Sequence, residues 1–274
     1  MVVDRPLLEC RSLTKEFGRG GALSAILSGE AGRNIVRAVD DVSFAVGQGE
    51  VLGLVGGSGS GKSTLANMIV QLERPTKGDI VLNGRPTHSL GRSERRKLRR
   101  DVQMVFQDPN GSLNPRYTIR STLEEPLIIH SMGSAKQRAR RVEEALEEAE
   151  LRPASRYIDR YPHELSGGQR QRVAIARAIV LQPRLLVADE PVSMLDVSVR
   201  AGILELLRKL VKNYRMAMVF ITHDLSLLGQ VCDRVAVLHL GKLVEIGSAF
   251  DVVTNPQATY TRQLLAAVPV LKRR

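Results

Sequence analysis

Apolar and polar side chains alternate in two segments near the start of the chain. Residues 7–17 and 35–46 show this alternation, which is typical of strands that bury one face, so both predict β-structure of antiparallel type. Between them, residues 18–34 are rich in glycine and have no clear period. This stretch predicts a loop insertion with mobile character.

Further along the chain, short apolar runs alternate with longer segments of helical pattern. The segments predicted as helices are 61–72, 134–151, 166–181 and 199–212. The predicted strands are 51–55, 79–83, 185–188, 216–222, 235–240 and 242–246, the last two paired around Gly241. Helices that alternate with buried strands predict an α/β fold with a mainly parallel core sheet.

The composition is that of a globular protein and does not by itself indicate a function. Hydrophobic residues make up 43% and charged residues 25% of the 274 positions, as in an ordinary globular protein. The formal net charge of +11 suits an anionic partner, or it is a solubilising surface. The basic run 92–100 leaves the same two readings open, contact with phosphates or a solvated helix face. Cys10 and Cys232 have neither a disulfide-framework nor a zinc-site spacing.

The hydropathy of the chain argues against a membrane-spanning segment. No apolar run approaches the roughly 18–20 residues needed to cross a bilayer. The first residues lack a charged start followed by an apolar core of signal-peptide length. We therefore expect a soluble or peripheral protein, and if it serves transport, another protein must form the pore.

A glycine-rich loop follows the first predicted buried strand and precedes a predicted helix. It matches G-x-x-x-x-G-K-[ST], in which glycines let backbone amides turn towards phosphate oxygens and the helix offers its positive dipole end. Lys62 then reaches the β- and γ-phosphates, and Ser63 ligates Mg²⁺. The candidate ATP-binding residues are Gly56, Gly57, Ser58, Gly59, Ser60, Gly61, Lys62, Ser63 and Thr64.

Two carboxylates end the apolar strand 185–188. Ligands bind at the carboxyl ends of strands in open α/β sheets, so Asp189 is a candidate to hold Mg²⁺ through water, and Glu190 is a candidate base for the attacking water. The segment Leu165, Ser166, Gly167, Gly168 and Gln169 opens the next predicted helix and has the residue types of a phosphate-facing helix start. In isolation, an ordinary loop and cap is the better interpretation of that segment.

The order and spacing of the glycine loop, the LSGGQ segment and the LLVADE strand resemble the ATP-binding cassette (ABC) ATPases. The resemblance covers residues 7–269. It implies that Gln107 contacts Mg²⁺ and senses a membrane partner, and that His223 contacts the γ-phosphate as a catalytic switch. It further implies that Phe17 stacks on adenine and that Ser193 and Asp196 lie where two such domains cross. Met194 departs from the alanine usual in the family.

Three longer stretches resemble the oligopeptide, dipeptide and nickel importer ATPases within that family. They are VFQDPNGSLNPR at 105–116, YPHELSGGQ at 161–169 and TNPQATYTRQLLAAVP at 254–269. Some members carry a cysteine cluster near the C-terminus for an iron–sulfur centre. Because no cysteine follows Cys232, we expect no such cluster.

The resemblance implies a P-loop NTPase core with a mainly parallel sheet, an antiparallel β subdomain and an inserted α-helical subdomain. The expected division gives residues 7–107 and 183–250 to the nucleotide-binding core with its β subdomain, 108–182 to the helical subdomain and 251–274 to a C-terminal tail. The implied partners are a second ATPase subunit, identical or related, two permease subunits and an extracytoplasmic substrate-binding protein. The implied cofactors are ATP and Mg²⁺, and the implied location is the cytoplasmic face of the inner or plasma membrane.

Three rival functions are weaker. A cassette ATPase acting on nucleic acid fits the basic charge, but Trp is absent and aromatic residues make up only 4% of the chain, which leaves few platforms for stacking bases. A simple P-loop kinase leaves Gln107, Gly167, Gly168 and His223 without roles. A non-hydrolysing partner subunit is disfavoured because Glu190 and His223 are both present.

Overall fold

Two β-sheets organise the chain, which a computed structural model describes over residues 5–18 and 35–267. The predicted insertion 18–34 therefore lies almost wholly outside the described residues. The strands are β1 (Leu8–Gly18), β2 (Ile35–Val46), β3 (Val51–Val55), β4 (Lys77–Leu82), β5 (Arg85–Pro86), β6 (Val102–Val105), β7 (Leu185–Asp189), β8 (Ala217–Thr222), β9 (Arg234–His239) and β10 (Lys242–Ser248).

Four of the helices follow one another in the chain between β6 and β7. The helices are α1 (Lys62–Ile69), α2 (Arg92–Asp101), α3 (Pro109–Ser112), α4 (Ile119–Ile129), α5 (Ala135–Glu148), α6 (Gly167–Ile179), α7 (Val197–Tyr214), α8 (Leu228–Val231), α9 (Ala249–Thr254) and α10 (Thr259–Ala266). In the described ranges, no helix combines the length and the apolar character needed to cross a membrane.

The smaller sheet is antiparallel and has the strand order β2-β1-β4-β5. The alternation in residues 7–17 and 35–46 correctly predicted its first two strands. The pairing of β1 with β2 shifts register after Cys10, again after Leu13 and again after Lys15. Such bulges twist and bend a pair of strands. The pair formed by β1 and β2 extends to the residues that the structure does not describe.

The larger sheet has the order β10-β9-β3-β8-β7-β6, and its five strands from β9 to β6 are parallel. Only β10 runs antiparallel, as the hairpin partner of β9. This confirms the predicted α/β fold with a mainly parallel core sheet. Because all five parallel strands end on one side, the loops that follow them meet along one edge of the sheet.

Both faces of the parallel sheet are covered, which explains why its strands have continuous apolar sequences. Leu186 and Phe220 pack on one face against helices α4 to α7, whereas Val187 and Ile221 pack on the other face with α1 and the antiparallel sheet. Burial of this kind contributes about 1.5–3 kcal/mol for each large side chain. The sheet is thus a rigid base for the loops at its carboxyl edge.

Several boundaries differ from the prediction for local reasons. The helix expected over 61–72 ends at Ile69, because Gln71 adopts a φ of 62° and the N–H groups of Leu72 and Glu73 both donate to Asn67 O. Strand β6 and helix α4 were not predicted, and α4 contains Pro126 in its interior. The helices α3 to α6 follow one another between β6 and β7, but the subdomain boundaries given above stay a prediction.

Candidate active site

The register of the parallel sheet brings four loops side by side. Val55, the last residue of β3, is level with Thr222, the last residue of β8. Asp189, the last residue of β7, is level with Ile221. Val105, the last residue of β6, lies one residue before the level of Asp189 in the sheet. The segments that begin at residues 56, 106, 190 and 223 therefore leave the sheet together.

Glycines allow the loop after β3 to fold back tightly. Gly56 has a φ of 155°, and a Cβ atom there would lie 2.2 Å from Leu238 O. Gly61 has a φ of 102°, and its Cβ would lie 2.3 Å from Ala38 O. No side chain fits at either distance. The backbone contact explains why these two positions need glycine.

Lys62 points back into the loop that precedes it. Its ammonium donates to Gly56 O at 2.9 Å, to Gly57 O at 2.8 Å and to Ser60 Oγ at 3.3 Å. The side chain is buried, and this burial lowers the pKa of the amine, against the opposing effect of the two carboxylates at the end of β7. A buried cation next to exposed backbone amides is an electrostatic site for an anion.

A pocket of about 240 Å³ lies beside this loop and is lined by Ala38 and residues 59–64. Helix α1 starts at Lys62 and has no side-chain cap, because Gly61 occupies the N-cap position. The first N–H groups of the helix therefore lack a side-chain acceptor of the usual capping kind. Uncapped amides and the positive end of a helix dipole bind phosphate well.

The Asp189 carboxylate is partly buried, and the Ser63 hydroxyl and the Lys62 ammonium are near enough to act on it. Burial raises the pKa of Asp189, the nearby charge of Glu190 raises it further, and Ser63 and Lys62 act in the opposite direction. A hydroxyl and a carboxylate beside a phosphate pocket are oxygen donors suited to Mg²⁺, which takes one or two protein ligands and completes its shell with phosphate oxygens and water. The residues present thus fit a magnesium ion.

Glu190 lies between two polar side chains from the neighbouring loops. Its Oε2 accepts a hydrogen bond from Gln107 Nε2 at 3.1 Å, and its Oε1 lies 3.0 Å from His223 Nδ1. The backbone turns sharply here, since Glu190 has a φ of 45° while its N–H donates to Ile221 O at 3.0 Å. The turn aims the carboxylate across the edge of the sheet, with a hydrogen bond from Gln107 at one oxygen and the His223 ring beside the other.

The LSGGQ segment forms a helix start of a different kind. Ser166 is the N-cap of α6, with its Oγ accepting from Gln169 N, while Gln169 Oε1 accepts from Ser166 N. This capping box leaves the backbone of Gly167 exposed at the surface. A Cβ on Gly168 would lie 2.7 Å from Val199 Cγ1, whereas Leu165 is buried.

The segment predicted to cross between two domains follows Glu190 directly. Both the N–H and the hydroxyl of Ser193 donate to Glu190 O. Asp196 is the N-cap of α7, and its side chain makes no capping hydrogen bond. Met194 and Val197, beside these residues, are 61% and 80% exposed.

Phe17 lies apart from the phosphate pocket in the described residues. It is near the end of β1, 44% exposed, and the Lys15 ammonium lies 4.9 Å from the centre of its ring. It does not line the pocket formed by Ala38 and residues 59–64. The stacking of Phe17 on adenine therefore stays a prediction.

Taken together, the parallel strands gather Lys62, Ser63, Gln107, Asp189, Glu190 and His223 at one edge. In the part of the chain that the structure describes, we find no hydrogen bond or ion pair that joins residues 165–169 to the Lys62 loop. One contact of the loop was not predicted from the sequence: Gly57 N donates to Tyr260 Oη of the C-terminal helix at 3.0 Å. The conspicuous tail sequence at 254–269 was the only signal of it.

Comparisons with known proteins point to one protein family. The family model described as ABC transporter matches residues 39–193. The chain is 44% identical over 271 residues to the oligopeptide transport ATP-binding protein AppF of Bacillus subtilis, covering 98% of this chain and 80% of that protein. It is 46% identical over 268 residues to a putative peptide import ATP-binding protein of Brucella ovis, with the same coverage.

Further similarities extend to a longer protein and to solved structures. The glutathione import ATP-binding protein GsiA of Salmonella paratyphi A is 45% identical over 98% of this chain, which spans 42% of that protein. A dimeric ATP-binding cassette in a post-hydrolysis state, bound to ADP and Pi, superposes with a TM-score of 0.74 at 33% identity over 88% of this chain and 98% of that one. CbiO1 from Clostridium perfringens, part of the ABC transporter complex CbiONQ, gives 0.75 at 26% identity over 96% of both chains.

Proposed function

Since this chain belongs to the ABC transporter family, we propose that it is the ATP-binding and ATP-hydrolysing subunit that energises a membrane importer of peptides. The relatives named for oligopeptide, peptide and glutathione import support the class of cargo. The observation that carries the ATPase assignment is the position of Glu190, held by Gln107 and His223 next to the Lys62 loop.

In the proposed reaction, Lys62 binds the phosphates of ATP and Glu190 acts as the base. The Lys62 ammonium exchanges the carbonyls of Gly56 and Gly57 for phosphate oxygens of ATP, and the amides of the loop and of α1 complete the cradle. Glu190 takes a proton from a water molecule as its oxygen forms a bond to the γ-phosphorus. The bond from that phosphorus to the β–γ bridging oxygen breaks, and ADP and phosphate are the products.

Gln107 and His223 fix the direction of the Glu190 carboxylate before the reaction starts. Each holds one of its two oxygens at about hydrogen-bond distance, so the carboxylate has one preferred orientation. In this proposal Gln107 donates through its amide nitrogen, and its amide oxygen is free to face a cation. Mg²⁺, held by Ser63, Asp189 and Gln107, would supply charge neutralisation at the phosphates.

A second ATPase chain completes the site in our proposal. Residues 165–169 make no polar contact with the Lys62 loop of their own chain within the described residues, yet they present an exposed helix start suited to phosphate. The exposed Met194 and Val197, next to Ser193 and Asp196, would be covered by the same partner. The likeness to a dimeric cassette supports this arrangement.

The cargo would pass through permease subunits, with an extracytoplasmic binding protein delivering it. In this proposal, the chain is attached to the cytoplasmic face of the membrane through those permeases. ATP shifts the pair of ATPase chains to a closed state only to the extent that it makes more contacts there than in the open state. Hydrolysis removes those contacts and resets the importer.

The test of this function is Glu190→Gln, which keeps the size of the side chain and removes its basicity. We expect ATP turnover to fall by about 10²- to 10⁴-fold, the usual contribution of a positioned base, with ATP affinity changed by less than about threefold. Glu143→Gln on the exposed face of α5 is the matched control, since this carboxylate lies away from the site. Near-normal turnover in Glu190→Gln would remove Glu190 as the base.

A further inference from the structure

The tail sequence 254–269 has no role in the function proposed above, yet its helix contacts the phosphate-binding loop. Helix α10 begins at Thr259, and Tyr260 in its first turn reaches back over about 200 residues of sequence to Gly57. The Tyr260 hydroxyl accepts the Gly57 N–H at 3.0 Å. Its ring packs on His239 at the end of β9, with the ring centres 3.7 Å apart.

The peptide group between Gly56 and Gly57 joins this tyrosine to the loop lysine. Its N–H donates to Tyr260 Oη, and its carbonyl, Gly56 O, accepts from Lys62 Nζ at 2.9 Å. Hydrogen bonds on the two sides of one peptide group polarise it and strengthen each other. The orientation of this peptide is therefore set from outside the loop, by a residue of the C-terminal helix.

The C-terminal helix is itself firmly attached to the core. The two carboxylate oxygens of Glu245 in β10 accept the N–H groups of Gln257 and Ala258 at 2.7 and 3.0 Å, just before α10 starts. Burial by itself would raise the pKa of Glu245, but these backbone hydrogen bonds and its other polar neighbours hold the pKa below its ordinary value. Leu264 and Leu265 pack against the main hydrophobic cluster. Tyr260 is thus held at the loop by contacts on both sides of it.

We propose that Tyr260 is a positioning residue of the nucleotide site, which fixes the peptide between Gly56 and Gly57 and so sets the affinity of the loop for ATP. This inference rests on the proposed function, in which that loop binds ATP. When the Lys62 ammonium turns to the phosphates, the peptide loses its bond at Gly56 O and keeps its bond to Tyr260. The start of the loop is then held by Tyr260 at Gly57 N and by the Ser60 N–H, which donates to Gly57 O at 3.3 Å.

The first test is Tyr260→Phe, which keeps the ring and its packing on His239 and removes the acceptor. Loss of one hydrogen bond of this kind predicts that the Kd and KM for ATP rise by about three- to tenfold. The value of kcat should stay within about twofold, because Glu190 and its two partners are not touched. Gln263→Ala is the matched control, since Gln263 lies on the same helix with an exposed side chain.

The second test separates positioning from a general loss of stability. Glu245→Gln removes one acceptor at the start of α10, so it should weaken ATP binding in the same direction, by about two- to fivefold. If Glu245 acts on the loop through Tyr260, adding Glu245→Gln to Tyr260→Phe should produce no further loss of affinity. Independent, additive losses would indicate that the tail only stabilises the fold.

The outcomes distinguish this inference from the proposed function. If the wild type and Gln263→Ala bind and hydrolyse ATP while Tyr260→Phe matches them in KM and Kd, the positioning role is overturned and the ATPase assignment stands. A fall in kcat with unchanged KM in Tyr260→Phe also overturns it. If the wild type neither binds nor hydrolyses ATP, the proposed function fails, and this inference fails with it.

Discussion

Replacing Lys62 by methionine should weaken nucleotide binding by about 10- to 150-fold without weakening the fold. Lys62 is 7% exposed, and burial lowers the pKa of its amine. In the absence of nucleotide, Lys62→Met loses three hydrogen bonds and also relieves the burial of a charge. These effects oppose each other, so we expect the free energy of unfolding to change by less than about 1 kcal/mol.

The effect on ATP binding is much larger. A hydrogen bond to a charged group contributes about 1.5–3 kcal/mol, so losing even one ammonium–phosphate contact weakens binding by about 10- to 150-fold. At an ATP concentration of about 100 times its Kd, the wild type gains about 2.7 kcal/mol of stability. If the Kd rises about 100-fold, the gain at the same concentration falls to about 0.4 kcal/mol.

Thermal unfolding with and without ATP and Mg²⁺ measures both effects in one assay. For a chain of this size, 1 kcal/mol corresponds to about 2–4 °C, so ATP should raise the Tm of the wild type by about 5–10 °C and that of Lys62→Met by about 1–2 °C. Lys97→Met on the exposed face of α2 is the control and should respond to ATP as the wild type does. An ATP-induced shift in Lys62→Met equal to that of the wild type would refute the phosphate-binding role.

Two further predictions concern the same edge of the sheet. Gly61→Ala should destabilise the protein by more than about 3 kcal/mol and abolish ATP binding, because its Cβ would lie 2.3 Å from Ala38 O. The control Gly49→Ala, with a φ of 75° and no atom within 4 Å, should cost only about 1–2 kcal/mol of left-handed strain. Equal losses of stability for the two variants in denaturant unfolding would contradict the clash. Asp189 has a raised pKa, so its charged form costs stability at neutral pH, and this cost disappears as the pH falls through that pKa. Asp189→Asn should therefore raise the Tm of the nucleotide-free protein at about pH 7, and the difference from the wild type should shrink towards about pH 4; a difference independent of pH would show that the charge is not its cause.

The residues of the candidate site were readable from sequence because their positions follow from strand order. A strand that ends in a glycine loop, a strand that ends in Asp189 and Glu190, and a strand that ends before His223 all deliver their next residues to the carboxyl edge of a parallel sheet. For the Lys62 loop, Asp189 and Glu190, that argument needs only the pattern of each segment, whereas the resemblance to the ABC ATPases supplied Gln107 and His223. The hydrogen bond between Gln107 and Glu190 needed more, since β6 is four residues long and follows a strongly basic helix without any turn signal.

Features that depend on distant contacts could not be read from the local pattern. The bond between Gly57 and Tyr260 joins positions 203 residues apart, and the conspicuous tail sequence at 254–269 did not indicate which residue it would contact. Helix α4 was missed because Pro126 normally argues against a helix interior, yet it is tolerated here while His130 N still donates to Pro126 O. The early end of α1 depends on the left-handed conformation of Gln71, which no propensity favours.

The central claim is that this chain powers a membrane importer, and its most direct test is to identify what the chain binds. Tagged Glu190→Gln, held with ATP and Mg²⁺, would be used as bait in detergent-solubilised membranes of the host, and co-purifying proteins would be identified by mass spectrometry. A parallel bait with Lys62→Met, which should bind ATP about 10- to 150-fold more weakly, controls for adhesion of the basic surface. We predict recovery of multi-spanning permeases, with a second ATPase chain if the pair is mixed. Recovery of ribosomes or DNA-bound proteins, with no membrane protein, would contradict the account.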